Sequence, residues 1–590
     1  MMKIKLLLTL TAIVFVFEMG FAQGKREFKT WNPGADTLRV LGGQAWPGQV
    51  KDYYDRLPAK AEQTVRKAVW DLSRNSAGLN LRFKTSADEI IVKFVVSGSM
   101  QMPHMPATGV SGIDLYAKNS DGMWLWAAGK YAFGDTIVYH FAGLRSKDDH
   151  VNDMQYTLYL PLYNTVKWMG ISVPKDAAFT PLPVREEKPI VVYGTSIAQG
   201  ACASRPGLAW TNILSRRLDR TVINLGFSGN GRLEKEVVDL LTEIDAKMYV
   251  LDCLPNLTGG YVTNGELKKR IAASVKQLQT IRPSTPILLT EHDGYMDEEI
   301  NPTRKKEYRD VNMALKQVVD SLSAGGIKNI FLLSKKEINQ DIETMVDGTH
   351  SNDAGMLRYA DAYEKVIRKI MNEPVGGGAT SIPVTQRRDA NTYDWETRHN
   401  AVLAYNKTHK PQLVFLGNSI VNYWGGKPVA PIRRGERSWE KCFSAKNDAN
   451  FGFGWDKIEN VLWRIYHDEL DNISARNIVV MIGTNNLQFN TDDEIVTGLQ
   501  FLVSSIHEKQ PGAKILLMGI LPRREMEDRI AKLNKLIAKT DMGNYVSYAD
   551  AGKLFLKSGK KIDETLFTDG LHPNEQGYDK LGAFIVSKLK

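Results

Sequence analysis

The chain has 590 residues, too many for one hydrophobic core; at about 150 residues per domain it divides into three or four. With 43% hydrophobic and 24% charged residues it has an ordinary globular composition. Its formal charge of +9 is spread over interspersed acidic and basic residues with no Lys/Arg run, which points away from nucleic acid and merely tolerates an anionic substrate.

Lys3 and Lys5 precede an apolar run from Leu6 to Phe17, and Gly20-Phe21-Ala22 offers small residues for cleavage. Residues 1–22 therefore read as a secretory signal peptide that leaves Gln23 first. The run is short for a bilayer span and no cysteine follows it for lipid attachment, so no membrane insertion is expected after cleavage. The expected location is the periplasm or the medium. Cys202, Cys253 and Cys442 make no disulfide framework. They read as buried free thiols, with a Cys202–Cys253 bridge as the alternative.

Residues 23–183 show short strands such as Glu89 to Val96, Met123 to Trp126, Thr136 to Phe141 and Gln155 to Leu160, separated by turns such as Asn119-Ser-Asp-Gly122. That spacing predicts an all-β sandwich. Trp124, Trp126 and His104 read as sheet packing, with a sugar-contacting surface as the sharper alternative. From 184 to 372 strands and helices alternate, as in a parallel sheet covered on both faces. Glu373 to Pro383 is rich in Gly and Pro, so 373–385 reads as a linker. The alternation then restarts over 386–590. The expected fold is thus α/β: two tandem three-layer α/β/α, flavodoxin-like domains behind a β-sandwich.

The stretch Pro189-Ile-Val-Val-Tyr-Gly-Thr-Ser-Ile-Ala-Gln-Gly200 is a buried strand that ends in a turn carrying Ser196, where open α/β sheets bind ligands. Gln412-Leu-Val-Phe-Leu-Gly-Asn-Ser-Ile-Val421 repeats it with Ser419. Each is followed far downstream by Asp-Gly-x-His, as Asp347-Gly-Thr-His350 and Asp569-Gly-Leu-His572. Ester cleavage by serine needs a nucleophile, a base, a group that orients the base and donors for the oxyanion. An aspartate three residues before a histidine supplies orienter and base from one loop. Between serine and histidine lie Asn224-Leu-Gly-Phe-Ser-Gly229 and Asp252-Cys-Leu-Pro-Asn256 in the middle region, and Asn450-Phe-Gly-Phe-Gly-Trp-Asp456 and Gly483-Thr-Asn-Asn486 in the last.

This order of Ser, Gly, Asn and Asp-x-x-His resembles the SGNH (GDSL) hydrolase superfamily over both α/β regions. The resemblance implies a Ser196–His350–Asp347 triad with Gly229 and Asn256 as oxyanion donors. In the second copy it implies Ser419, His572 and Asp569, with Gly454 and Asn485 as donors. Thr195 and Asn418 stand where the family has Asp, Leu254-Pro255 replaces a glycine before Asn256, and Trp455 stands where the donor glycine is usual. Gly112-Ile-Asp-Leu-Tyr116 is similar to the signature of a β domain preceding SGNH hydrolases in exported bacterial esterases. Asn450 to Ile465 is similar to the platelet-activating-factor acetylhydrolase branch. The three-part layout resembles exported bacterial carbohydrate O-acetylesterases, sialate O-acetylesterases among them.

These resemblances imply an exported serine esterase acting on acetylated carbohydrate through an acetyl-enzyme. Gln199, Arg205, Glu291, Trp424 and Trp455 are the candidate substrate contacts, and Arg523 and Arg524 could form a fork for a sugar carboxylate. No cofactor or metal is expected, since the sequence has no HExxH or paired-Cys zinc spacing. A xylan or pectin acetylesterase, a single active copy beside a glycan-holding scaffold, and a lipase or thioesterase are the competing readings; no long apolar loop offers a lipid-gripping lid. The sequence sets no oligomeric state.

Overall fold

The computed structural model describes residues 26–144, 150–558 and 560–589, so the expected signal peptide lies outside the described residues. Two antiparallel sheets open the chain. One runs in the order Phe28–Trp31, Val166–Pro174, Glu89–Val96, Ile137–Ala142, Lys130–Ala132. The other runs Phe179–Pro181, Asn80–Thr85, Met154–Tyr159, Asp114–Lys118, Trp124–Ala127. Alternation along Glu89–Val96 sends Ile90, Val92 and Phe94 inward against Leu81, Phe83 and Leu158. Asp114–Lys118 and Met154–Tyr159 do not alternate: every residue is buried. Their outer face is covered by the first α/β unit.

That contact explains the Gly112–Tyr116 motif. Asp114 Oδ2 accepts hydrogen bonds from Gly207 N–H at 2.9 Å and from Arg205, while Oδ1 accepts from Trp126 Nε1 at 2.7 Å. Tyr116 OH accepts from Arg205 Nη1 at 2.7 Å, and the Arg216 guanidinium lies 4.0 Å over its ring. Trp124 donates to Arg216 O and lies under Lys118 Nζ. Trp124 and Trp126 are therefore seam residues rather than core packing, and Trp126 keeps 53% of its surface exposed. Arg205 is committed to the seam, which corrects its reading as a substrate contact.

The first α/β unit has an all-parallel sheet in the order Val222–Gly226, Ile190–Gly194, Met248–Asp252, Ile287–Thr290, Ile330–Leu333. The second repeats it as Asp448–Gly452, Leu413–Gly417, Asn477–Met481, Lys514–Met518, Val546–Ala549. By chain order both are 2-1-3-4-5, and the order reverses beside the first strand of each unit. Ser196 and Ser419 follow that strand, at the crevice where such sheets hold ligands.

The Gly/Pro-rich stretch after the first unit is tied down. Tyr466 OH donates to Pro374 O at 2.8 Å, Thr380 Oγ1 to Glu494 O at 2.9 Å and Asn460 Nδ2 to Val384 O at 2.9 Å. Lys509 pairs with the buried Glu373 at 3.2 Å. A tether needs none of these bonds. All three cysteines are free, Cys202 and Cys253 buried and Cys442 partly so. No described helix is long and apolar enough to cross a membrane.

Trp424 is wholly enclosed against Phe415, Trp439, Phe443 and Tyr578, so it is core and its reading as a substrate contact is corrected. Trp424→Ala is expected to lower stability by about 3–5 kcal/mol, read as a fall in the thermal unfolding midpoint. A variant with wild-type stability and a raised KM would instead restore the substrate-contact reading.

Candidate active site

Each serine opens a four-residue helix directly after its strand, Ser196–Gln199 and Ser419–Asn422. Thr195 Oγ1 caps the first by accepting from Ile197 N–H at 3.3 Å, and Asn418 Oδ1 caps the second from Ile420 N–H at 2.9 Å. The residues that depart from the family's Asp thus hold the turn through an oxygen acceptor. The serine N–H, at the start of a helix, has no partner within it. Both serines are nearly enclosed, at 6% and 5% exposure.

The Asp-Gly-x-His turns close the relay. Ser196 Oγ lies 2.9 Å from His350 Nε2, and His350 Nδ1 lies 2.7 Å from Asp347 Oδ2. In the second copy Ser419 Oγ to His572 Nε2 is 2.8 Å and His572 Nδ1 to Asp569 Oδ2 is 2.8 Å. The other carboxylate oxygen accepts two backbone N–H groups of the same turn, Thr349 and His350 in one copy and Leu571 and His572 in the other. The intervening glycines have φ of +76° and +80°, which this turn requires and other residues seldom adopt. Burial pushes the Asp347 carboxyl up, but the His350 hydrogen bonds outweigh it and hold it below the usual range. Asp569 sits further below: burial again opposes, while His572 and Arg434 favour the anion.

For the oxyanion, Gly231 N–H donates to Asn256 Oδ1 at 3.1 Å, which turns the Asn256 amide nitrogen outward as a donor. Asn485 donates one amide hydrogen to Asp456 O at 2.9 Å and keeps its second. Gly229 has φ +68°. Because Gly194 pairs with Gly226 and Gly417 with Gly452, counting forward sets Trp455 opposite Gly229. Trp455 has φ +61°, the same left-handed backbone, and neither N–H has an acceptor among the described residues. The expected second-copy donor, Gly454, is therefore displaced by one position: it is Trp455 N–H that matches Gly229 N–H. The carbonyl of Gly454 accepts from Gln386 and Tyr393.

Gln199 is fully buried and accepts Ser228 N–H at 3.0 Å through Oε1 while donating to Leu162 O. It holds the Gly229 loop and does not face substrate, which corrects its expected role. Glu291 accepts Lys335 N–H at 2.8 Å, the first N–H of the helix Lys335–Ile338, which Ser334 caps. Trp455 remains at the second site, half-buried against His150 at 5.4 Å between ring centroids. Cys202 and Cys253 are no rival nucleophiles: burial pushes Cys202 up to about 12 and Cys253 well above the ordinary range.

Sequence reading missed several groups. Arg434 Nη1 pairs with Asp569 Oδ2 at 3.0 Å, and the Tyr423 ring lies 5.0 Å from that of His572. His104, read from sequence as sheet packing, is instead exposed and stacks 5.8 Å from His350. A buried arginine holds the carboxyl end of the second strand in each unit. Arg56, from the sandwich region, donates to Asn224 O and Gly226 O at 3.0 and 2.8 Å, whereas Arg398 of the second unit itself donates to Asn450 O at 2.8 Å.

His572 works as a base only when neutral. Burial pushes it below its ordinary 6.5; Asp569 draws it back, and Arg434 and Arg523 push it down again. A lower pKa extends the neutral form to lower pH. For the Ser196→Ala variant, which reports the second centre, kcat/KM is expected to reach its acid half-maximum below pH 6.5. Arg434→Ala in that background should move the half-maximum upward by roughly half a pH unit. An acid limb unmoved by that change would remove Arg434 from the electrostatics of this centre.

Comparison with known proteins follows the same division. The model of the GDSL-like lipase/acylhydrolase family matches residues 187–368, a second model of that description matches 415–580, and a model for the N-terminus of SGNH-hydrolase-type esterases matches 29–179. The platelet-activating factor acetylhydrolase IB subunit alpha2 of Homo sapiens is 33% identical over 193 residues, 32% of this chain and 80% of that protein. The human alpha1 subunit is 29% identical over 189 residues, 31% of this chain and 78% of that one. A crystal structure described as a GDSL-like lipase from Bacteroides ovatus ATCC 8483 is 32% identical and covers 59% of this chain and 98% of its own, with a TM-score of 0.54. The chain is an ester hydrolase of the GDSL-like lipase/acylhydrolase (SGNH hydrolase) family, with two tandem domains of that family behind an N-terminal domain of the GxDLY type.

Proposed function

We propose that the protein is an exported serine esterase that removes O-acetyl groups from carbohydrates, and that both Ser196 and Ser419 are nucleophiles. The observation that carries this reading is the pair of complete Ser–His–Asp relays, with every link at 2.7–2.9 Å. His Nε2 takes the serine proton as Oγ attacks the acetyl carbonyl. The negative oxygen is met by the serine N–H, the loop N–H of Gly229 or Trp455, and the amide of Asn256 or Asn485. As the tetrahedral intermediate collapses and the acyl C–O bond breaks, the protonated histidine gives its proton to the departing sugar oxygen, which leaves as a hydroxyl. Water, activated by the same histidine, then releases acetate from the acetyl-enzyme.

A small acyl group is supported by the acetylhydrolase relatives and, in the second centre, by the Tyr423 ring beside His572. Arg434 and Arg523 beside His572 favour a sugar bearing a carboxylate, such as a sialic acid or a uronic acid. The domain division at 23–183, 184–372 and 386–590, and secretion through residues 1–22, belong to the same proposal. The Trp455 substitution favours one second reading, in which the Ser419 unit turns over slowly and mainly holds glycan for the Ser196 unit.

Ser196→Ala, Ser419→Ala and the double variant, assayed on 4-nitrophenyl acetate and on acetylated sialic acids, xylan and pectin, test these readings. Each single variant is expected to retain part of the acetate release, and the double to lose about a thousandfold or more. Full activity in the double variant would sink the assignment. Loss of all turnover in Ser196→Ala alone would establish the scaffold reading. Efficiency that rises from acetate to long acyl chains would show a lipase or thioesterase.

A further inference from the structure

Three side chains from distant segments meet beside Ser196, and the relay uses only one of them. His104 sits on a tight turn closed by the Met102–Met105 bridge, with reciprocal backbone bonds of 3.0 and 3.1 Å. Cys202 is buried just past the Ser196 helix. A ring nitrogen of His104, the sulfur of Cys202 and a ring nitrogen of His350 lie within 4.8 Å of one another.

Two imidazoles and a thiol are the donor set of zinc and similar thiophilic cations. His350 is already oriented as metal-binding histidines are. Its Nδ1 is held by a carboxylate, Asp347 Oδ2 at 2.7 Å, so Nε2 presents its lone pair. Zinc with nitrogen at about 2.0–2.1 Å and sulfur at about 2.3 Å sets neighbouring tetrahedral ligands about 3.4–3.6 Å apart. The three atoms need to close by at most about 1.4 Å, and His104, exposed on its turn, has room to do it. Cys202 also holds a left-handed backbone, φ +67°, which few residues other than glycine adopt. Six residues after the other serine the chain has Gly425.

We propose that a thiophilic divalent cation, zinc in the first instance, binds His104, Cys202 and His350 and switches off the Ser196 centre while the Ser419 centre keeps working. The metal–sulfur bond replaces the S–H bond of Cys202 and its proton passes to solvent; no electron is transferred. The same ion takes the Nε2 lone pair that His350 otherwise offers to Ser196 Oγ at 2.9 Å. Among the described residues the Ser419 centre has no such set: the ring beside His572 is Tyr423, and Gly425 replaces the thiol. Inhibition rests on the esterase reading of Ser196; binding of the metal does not.

The Ser419→Ala variant reports the first centre and Ser196→Ala the second. Saturating zinc is expected to lower hydrolysis of 4-nitrophenyl acetate by Ser419→Ala at least about a hundredfold, reversibly with a chelator, and to leave Ser196→Ala unaffected. In the Ser419→Ala background, His104→Ala and Cys202→Ser should each raise the zinc concentration for half-inhibition at least about tenfold. Cobalt(II) added to the Ser419→Ala protein should give a thiolate-to-metal charge-transfer band in the near ultraviolet that Cys202→Ser lacks. Absence of that band, equal zinc inhibition of both centres, or undiminished inhibition in Cys202→Ser would overturn the proposal. If Ser419→Ala hydrolyses no ester at all, the esterase reading of Ser196 fails, and the cobalt band still decides the metal site.

Discussion

The three parts of the chain converge on one carboxylate, Asp219. It ends the helix Trp210–Leu218 in a left-handed conformation and faces away from the first catalytic crevice toward both neighbours. Lys118 of the sandwich pairs with it at 2.6 Å, Arg185 at 3.1 Å, and Trp463 Nε1 of the second unit donates to it at 3.0 Å. Burial alone would push Asp219 up; Arg185 and Lys118 outweigh that and hold it well below the usual carboxylate range. Beside it the buried Arg220 reaches Tyr466 O and Asp468, and Lys247 reaches Asp468 and Asp471. Buried pairs of this kind add little net stability over apolar packing, but leaving one member alone is costly. Such a seam acts as a register: each part docks in the one place where every charge finds its partner.

Within that frame the two α/β units are alike in backbone and unlike in what surrounds the relay. Both clamp the second strand with an asparagine, Asn224 to Ala198 O and Asn450 to Val421 O, and both close it with an arginine. The first unit takes that arginine, and the ring stacked on its base, from the sandwich. The second takes its arginine from its own first helix, Trp395–Thr408, and adds Arg434 and Tyr423 at the base. The Ser196 centre therefore takes two supporting groups, Arg56 and His104, from the sandwich region, whereas Arg398, Arg434 and Tyr423 at the Ser419 centre belong to its own unit.

Features that were legible in sequence are those whose physics is local. A run such as Ile190 to Tyr193 can only be a buried strand. Asp347 and His350 share one turn, so their spacing encodes their contact. The helix Ile458–Tyr466 is buried on every side, so its polar residues Glu459, Asn460 and Arg464 mark no solvent-facing stripe. Arg434 stands 135 positions from Asp569, and nothing in the intervening chain relates them. Arg205 and Trp424 lie close after their serines, a position that points toward the crevice. One is drawn to a carboxylate on another domain and the other into an aromatic core, and neither attraction shows in spacing. Trp455 marks the limit of motif matching. The backbone there keeps the glycine's left-handed φ with a tryptophan side chain, so the donor N–H survives where the residue type suggests its loss.

The pinned segment between the two α/β units bears on how a single polymer would meet them. Two sites on a flexible string raise each other's effective concentration by diffusing around a shared ligand, and the gain depends on linker length. Here Pro374, Thr380 and Val384 are bonded to the second unit and Glu373 to Lys509, so no slack remains to be tuned. The two serines form a rigid pair with a set spacing and facing. Any cooperation between them on one polymer is decided by whether its acetylated positions match that spacing, much as a ruler matches only certain marks.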